Sequence, residues 1–397
     1  SFSATAGDFM QGISGLYQHG PLQLVGGYNL RQAHITVTQG IVRAVASRTN
    51  TRPAPTTSER LPFVGGVLTM GGWELGGLAA RYRLMPTAAT AAVDGKHYSA
   101  TIKHIRVTAV NRMEFAHESG WQAGRTAAIS RLNLARTFGS SGGKGQLTVL
   151  YRRYPSGWEP LRGRLAGQRA SRGNETGWFL GWGWRKTAVR VNGYLDSYHQ
   201  TSAQVPGAWA GRGRENAWEA AIQKGAVEYR ILIRNDEHFE SASNIDSTGL
   251  ATLNQTHSTR FYRRLALDTR LGSSFRLQVL AAGLQTTVDQ RNGRGETFGL
   301  TVRYRRKANS FNATWGAYIF DTDGWDQRIY VYEVGLPGEF ALRPMAGLGW
   351  RLFCRVGRQW GRGMITFRVR QEWKYDEKTE KTVAQPGQYG LQLDVAL

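Results

Sequence analysis

Cysteine is nearly absent from this 397-residue chain: Cys354 is the only one, so no intrachain disulfide framework exists. Lysine is scarce, at nine of 51 cationic residues, and proline is limited to 11. Acidic residues are outnumbered, 29 against 51, which leaves a formal net charge of +22. No window of 18 or more residues is free of charged and polar groups, which excludes crossing a membrane by helices. Signatures of catalysis are missing as well. The eight histidines are scattered, with no HExxH, no GxSxG and no P-loop. The expectation is a chain that is not an enzyme and holds no cofactor and no metal.

What the chain does have is 49 glycines, 13 Trp, 16 Tyr and 15 Phe. So many aromatics exclude a disordered chain. Abundant Gly beside abundant aromatics suits many strands joined by tight turns. Most of the cations are Arg, whose planar fork binds carboxylate and phosphate and stacks on aromatic rings. High genomic GC content also raises Arg over Lys, but it does not account for the excess of positive charge.

The C-terminal third alternates at period 2. Phe298, Leu300, Val302 and Tyr304 oppose Thr297, Thr301, Arg303 and Arg305. Trp315, Ala317 and Ile319 oppose Thr314 and Tyr318, and Ile365, Phe367, Val369 and Trp373 oppose Thr366, Arg368, Arg370 and Glu372. The last strand alternates to the terminus, with Tyr389, Leu391, Leu393, Val395 and Leu397 on one face. Turn signals separate these runs at 272–274, 292–295, 321–324 and 361–363. Polar stretches at 47–60, 162–176, 198–214 and 235–256 read as loops on one rim. The template predicts roughly 18–22 strands in all. No blade repeat and no linker occurs, so residues 1–397 read as one domain.

One face of each strand is apolar and the other carries Arg, Gln, Thr and Tyr. A closed antiparallel barrel in lipid requires that division, and closure pairs every backbone group. The predicted fold class is therefore all-β: a single large antiparallel transmembrane β-barrel of the bacterial, Gram-negative outer membrane. Trp184, Tyr304, Trp315, Trp350 and Trp373 are the predicted membrane girdle. A soluble β-protein with half-exposed strands is the alternative.

Two stretches carry a family resemblance. One is Leu150-Tyr151-Arg152-Arg153-Tyr154 followed by Ser171-Arg172-Gly173-Asn174-Glu175-Thr176-Gly177-Trp178-Phe179-Leu180-Gly181. The other is Ala317-Tyr318-Ile319-Phe320-Asp321-Thr322-Asp323-Gly324-Trp325-Asp326-Gln327-Arg328 continuing to Glu333, then Pro344 and 347–358; Gly7-Asp8-Phe9 also fits. Together they resemble a family of bacterial outer-membrane barrels whose members commonly carry an N-terminal helix-hairpin-helix domain and are grouped with competence-type DNA-uptake proteins. The resemblance implies the barrel and its membrane, and a link to DNA uptake. This sequence starts at Ser1 without a helix-hairpin-helix segment. A mature form, a member without that domain and a chain lacking its first strands all fit.

Ten arginines fall on the polar phase of their strands: Arg260, Arg264, Arg270, Arg276, Arg303, Arg305, Arg351, Arg355, Arg368 and Arg370. If that phase lines a lumen, the lumen is a positive field that gathers anions. Nucleic acid is then a candidate cargo, and Tyr262, Tyr318 and Tyr332 are candidate stacking surfaces. Pairing of these arginines with Asp and Glu is the alternative. The acidic turn Asp321, Asp323, Asp326 has no Glu at the position that completes an EF-hand loop, and Arg328 is placed to neutralise it. Asn174 and Glu175 read as a loop anchor bonded to Arg152 or Arg153. The functional expectation is a channel or conduit for anionic cargo; a non-conducting structural or assembly subunit is the rival. Partners are outer-membrane lipid and lipopolysaccharide, an anionic polymer or nucleic acid, and other envelope proteins.

Overall fold

The computed structural model describes residues 11–38, 41–45, 56–84, 93–138, 142–156, 158, 173–200, 202, 210–245, 251–306, 311–336, 339, 342–361, 363–376 and 379–395. The expected fold class is the one observed: all-β, with antiparallel pairing between chain neighbours. Twenty-one of the described strands belong to one sheet. Among the described residues no helix is long and apolar enough to cross a membrane, which has no bearing on crossing by strands. Contacts divide the chain into two compact units.

The first unit holds β1 (Gln11–His19), β2 (Leu22–Thr38), β3 (Ile41–Val45), β4 (Thr56–Met70), β5 (Trp73–Leu84), β6 (Val93–Val107), β7 (Asn111–Gln122) and β8 (Arg125–Phe138, to Thr137). It also takes most of β9 (Gly143–Ser156), the first half of β10 (Gly173–Lys186) and the end of β11 (Val189–His199). Turns of two or three residues follow β1, β4, β6 and β7, whereas longer connections follow β3, β5 and β9. Gly71 and Gly72, both at positive φ, form the β4–β5 turn, a conformation glycine adopts without steric cost.

The second unit contains β12 (Arg212–Lys224), β13 (Val227–Ile245), β14 (Ala251–Leu271), β15 (Phe275–Val288), β16 (Arg291–Arg306) and β17 (Phe311–Thr322). A short 3-10 turn (Trp325–Gln327) leads into a small hairpin, β18 (Ile329–Tyr332) and β19 (Leu342–Met345). Then come β20 (Gly349–Trp360), β21 (Gly363–Asp376), β22 (Lys381–Ala384) and β23 (Gln388–Val395). Turns of two or three residues follow β12, β14, β15 and β20, and the longest connection between strands of the large sheet in this unit follows β17.

Burial in the second unit is inverted relative to a soluble protein. Along β17, Trp315, Ala317 and Ile319 are exposed while Thr314, Gly316, Tyr318, Phe320 and Thr322 are buried. Phe298 and Leu300 on β16, Leu352 on β20, and Ile365 and Phe367 on β21 are likewise exposed. On the opposite phase Thr297, Thr301, Arg351, Phe353 and Thr366 are buried. A sheet that exposes its apolar phase and buries its polar phase has the wall arrangement of a transmembrane barrel.

The polar phase is covered locally by the β18–β19 hairpin. Ile329, Val331 and Met345 are buried against Tyr318, Phe320, Phe353 and Ala282. Gly299 lies directly beneath the Tyr318 ring and Gly316 beneath the Phe353 ring; a Cβ at either glycine would collide with the aromatic above it.

Three expectations are corrected here. Residues 235–245 and 251–256 are strand rather than loop, because β13 and β14 pair from Val227 to Ile245. Strands that project beyond the hydrocarbon need no apolar face, so alternation is lost there without loss of pairing. Residues 292–295 also lie within a strand, since the reversal occurs two residues earlier at Asp289 and Gln290, both at positive φ. Tyr318 is not a stacking surface: it is 5% exposed and packs flat on Phe353 at 5.9 Å between ring centroids. Parts of the predicted loops, 47–55 and 162–172, and residues 396–397 fall outside the described residues.

Candidate functional site

Register decides which of the ten arginines meet. Arg270 faces Arg276, Arg276 faces Arg303, Arg303 faces Thr314, Thr314 faces Arg355, and Arg355 faces Arg368. Five arginines thus stand in one cross-strand row over β14, β15, β16, β17, β20 and β21. Directly opposed residues of neighbouring strands sit about 5 Å apart, so like charges in such a row raise one another's energy unless anions intervene. The other five occupy the same phase at different heights. Arg351 faces Tyr318, Arg370 faces Phe353, Arg305 faces Asn312, Arg264 faces Ala282, and Arg260 faces Asp236.

Part of this charge is compensated from within the fold. Arg276 Nε donates to Asp268 at 2.6 Å. Arg351 donates to Glu333 at 2.7 Å and to Glu372 through Nε at 2.7 Å, and also reaches the Pro344 carbonyl at 3.0 Å. Arg370 lies 3.5 Å from Glu333. Arg368 is bonded to Glu339, which also accepts from Arg343 at 2.7 Å. Among the described residues four of the ten arginines are therefore ion-paired, three of them to Glu333 or Glu339 in the stretch between β18 and β19. The Arg368 hydrogen bond, with help from the Leu336 backbone and Arg343, holds the Glu339 carboxyl below its ordinary range despite some desolvation. Sequence reasoning passed over Glu333 and Glu339. The signal available was that Glu333 ends the Asp321–Glu333 motif while standing on no strand of its own.

Arg303 and Arg355 lack such compensation. The Nε atoms of both are buried with no hydrogen-bond partner among the described residues. Arg355 directs its two terminal nitrogens to the Gly335 carbonyl and to Asn312 Oδ1, each at 3.2 Å.

Of the two arginines expected in the loop anchor, Arg152 forms it and Arg153 does not. Arg153 is exposed, whereas Arg152 is 1% exposed and bonded to Glu175, with Asp196 at 2.8 Å. Alternation turns one of two adjacent arginines inward and the other outward, and Glu175 lies on the buried side. Asn174, at positive φ, locks onto Ser202: the Ser202 amide donates to Asn174 Oδ1 at 2.9 Å.

In the acidic turn, Asp323 accepts from the Arg294 amide at 2.8 Å. Among the described residues Arg328 forms no ion pair with these aspartates. It donates to the Trp325 carbonyl at 2.6 Å and lies over the Trp325 ring at 4.6 Å, while Asp321 and Asp326 are exposed. No group of three or more His, Cys, Asp or Glu among the described residues is arranged to hold a metal.

Of the predicted girdle, Trp350 and Trp373 stack at 3.7 Å, and Tyr304, further along the strands, packs on Phe275 at 4.8 Å. Trp315, opposite Val302 and Cys354, stands one row inside the Tyr304 end, and Trp184 is exposed on β10.

No protein-family model matches the chain, and no curated protein is similar to it. Solved structures are similar at low identity. The outer-membrane expressed OmpT of Vibrio cholerae is 8% identical over 82% of this chain and 98% of its own, with a TM-score of 0.36. The outer membrane transporter YddB of Escherichia coli is 7% identical over 97% of this chain and 74% of its own, with a TM-score of 0.37. An anion-selective porin from Comamonas acidovorans is 10% identical over 85% and 95%, with a TM-score of 0.34. Likeness at this level fixes neither activity nor ligand. The expectation that the chain is not an enzyme is corrected: missing sequence motifs do not exclude catalysis by residues brought together across strands.

Proposed function

We propose that the chain is an outer-membrane β-barrel channel whose arginine-rich polar phase lines a path for anions. The observation that carries this reading is the inverted burial of the second unit combined with the arginine row on its buried phase. Trp350 to Trp360 on β20 spans about 34 Å at ~3.4 Å per residue, or about 26 Å at a tilt of ~40°, close to the apolar height of outer-membrane barrels. The β18–β19 hairpin narrows the path, and Glu333 and Glu339 occupy part of its cationic surface. Small anions fit this arrangement directly. Single-stranded nucleic acid, the cargo that the DNA-uptake resemblance implies, would have to displace those two carboxylates.

A second reading has its own observation. The hairpin buried on the polar phase fits a non-conducting structural or assembly subunit that binds other envelope proteins. Planar-bilayer recording under a KCl gradient, with and without short single-stranded DNA, separates the two. Anion-selective current supports the channel, and block by DNA supports a nucleic-acid path. A stably inserted but silent protein favours the structural subunit.

A further inference from the structure

We infer that Arg303 and Arg355, flanking Thr314, form a discrete binding site for a tetrahedral oxyanion, namely a phosphate or the phosphate group of an ester. The site deepens the channel reading and rests on it for access along the polar phase. Three observations converge. The two arginines are separated in the row by one residue, Thr314, which is buried and carries no charge. The charged neighbours on either side along the row each have a carboxylate of their own, Asp268 for Arg276 and Glu339 for Arg368. The Nε of each central arginine is buried with no partner among the described residues, and Arg355 is held in place by Gly335 and Asn312 through its other nitrogens.

Two like charges on either side of one uncharged residue, each with a buried Nε and no carboxylate among the described residues, favour a multivalent anion over chloride. A tetrahedral oxyanion accepts from both guanidinium groups at once through separate oxygens, which a monatomic ion cannot do. The carboxylates nearest to hand do not fill this role, because Glu333 is engaged by Arg351 and Arg370, and Glu339 by Arg368 and Arg343.

The test is equilibrium titration of the detergent-folded full chain with inorganic phosphate, followed by calorimetry or 31P line broadening. Binding is read independently of conduction, so a silent channel does not affect it. The expected result is saturable binding that weakens at least tenfold in Arg303→Gln and in Arg355→Gln and is unchanged in Lys144→Gln, a surface cation on β9. Folding of each variant is checked by heat-modifiable gel mobility. Thr314→Asp supplies an independent arm: a carboxylate between the two arginines should raise the melting temperature and abolish phosphate binding. Thymidine monophosphate run in parallel separates the sources. Binding of phosphate alone assigns the free ion, and equal or tighter binding of the nucleotide assigns an ester. Absence of saturable binding by the folded chain overturns the inference, as does binding that survives both arginine substitutions.

Discussion

Arg351 and Glu333 form a buried ion pair, with Nη1 2.7 Å from Oε1 and each side chain about 5% exposed. The pair ties the stretch after β18 to the sheet at β20. Burying two charges is tolerated only when both are bonded, and removing one partner of such a pair costs on the order of 3–5 kcal/mol. Glu333→Ala should therefore detach the hairpin. The expected signs are a lower melting temperature, protease cleavage within 329–345, and larger single-channel conductance. Unchanged protection of the hairpin would contradict the pairing.

Glu339 gives the hairpin a pH dependence with a definite sign. Its carboxyl is held low chiefly by Arg368. A carboxyl depressed in the folded state contributes stability that is fully present above its unfolded value, near 4.5, and is lost as pH falls through the lowered folded value. Protection of the hairpin should be constant from neutral pH down to about 5 and should fall below about 4. Glu339→Gln should remove that step.

The Arg152–Glu175–Asp196 cluster predicts a large structural effect in the first unit. Glu175→Ala leaves a buried guanidinium with one carboxylate, a loss of about 3–5 kcal/mol. Arg153→Ala, one residue along and exposed, should change the unfolding midpoint little. Chemical unfolding in micelles distinguishes the two.

The apolar phase predicts an asymmetry across the sheet. Leu352→Arg places a charge on the exposed apolar face and should destabilise the folded protein by about 2–4 kcal/mol. Gln278→Arg, on the opposite phase and facing Asp268, should cost less, because that face is polar and supplies a carboxylate. Equal costs would mean that the apolar phase does not face lipid.

Much of this architecture is legible in the sequence. β16, β17, β20, β21 and β23 follow from period-2 alternation, because a wall with lipid on one side imposes that pattern on every crossing. The phase of all ten arginines follows for the same reason. What alternation does not reveal lies off the wall. Ile329 and Val331 alternate with Tyr330 and Tyr332 over only four residues, too short to cross, and the hairpin they form is defined by what it packs against. The choice of Arg152 over Arg153 depends on which neighbour points toward Glu175, 23 residues away. The row of arginines depends on register, which follows from turn lengths such as the reversal at Asp289-Gln290 rather than from any local pattern.

The most direct test of the central claim is the reversal potential in a KCl gradient. Arg270, Arg303 and Arg305 are chosen for reversal because none has a carboxylate partner among the described residues, so replacing them breaks no ion pair seen in the fold. The account predicts anion selectivity for the natural chain and a shift toward cation selectivity in Arg270→Glu/Arg303→Glu/Arg305→Glu. A conducting, folded variant with unchanged anion selectivity would contradict the assignment of the arginine phase to the conduction path.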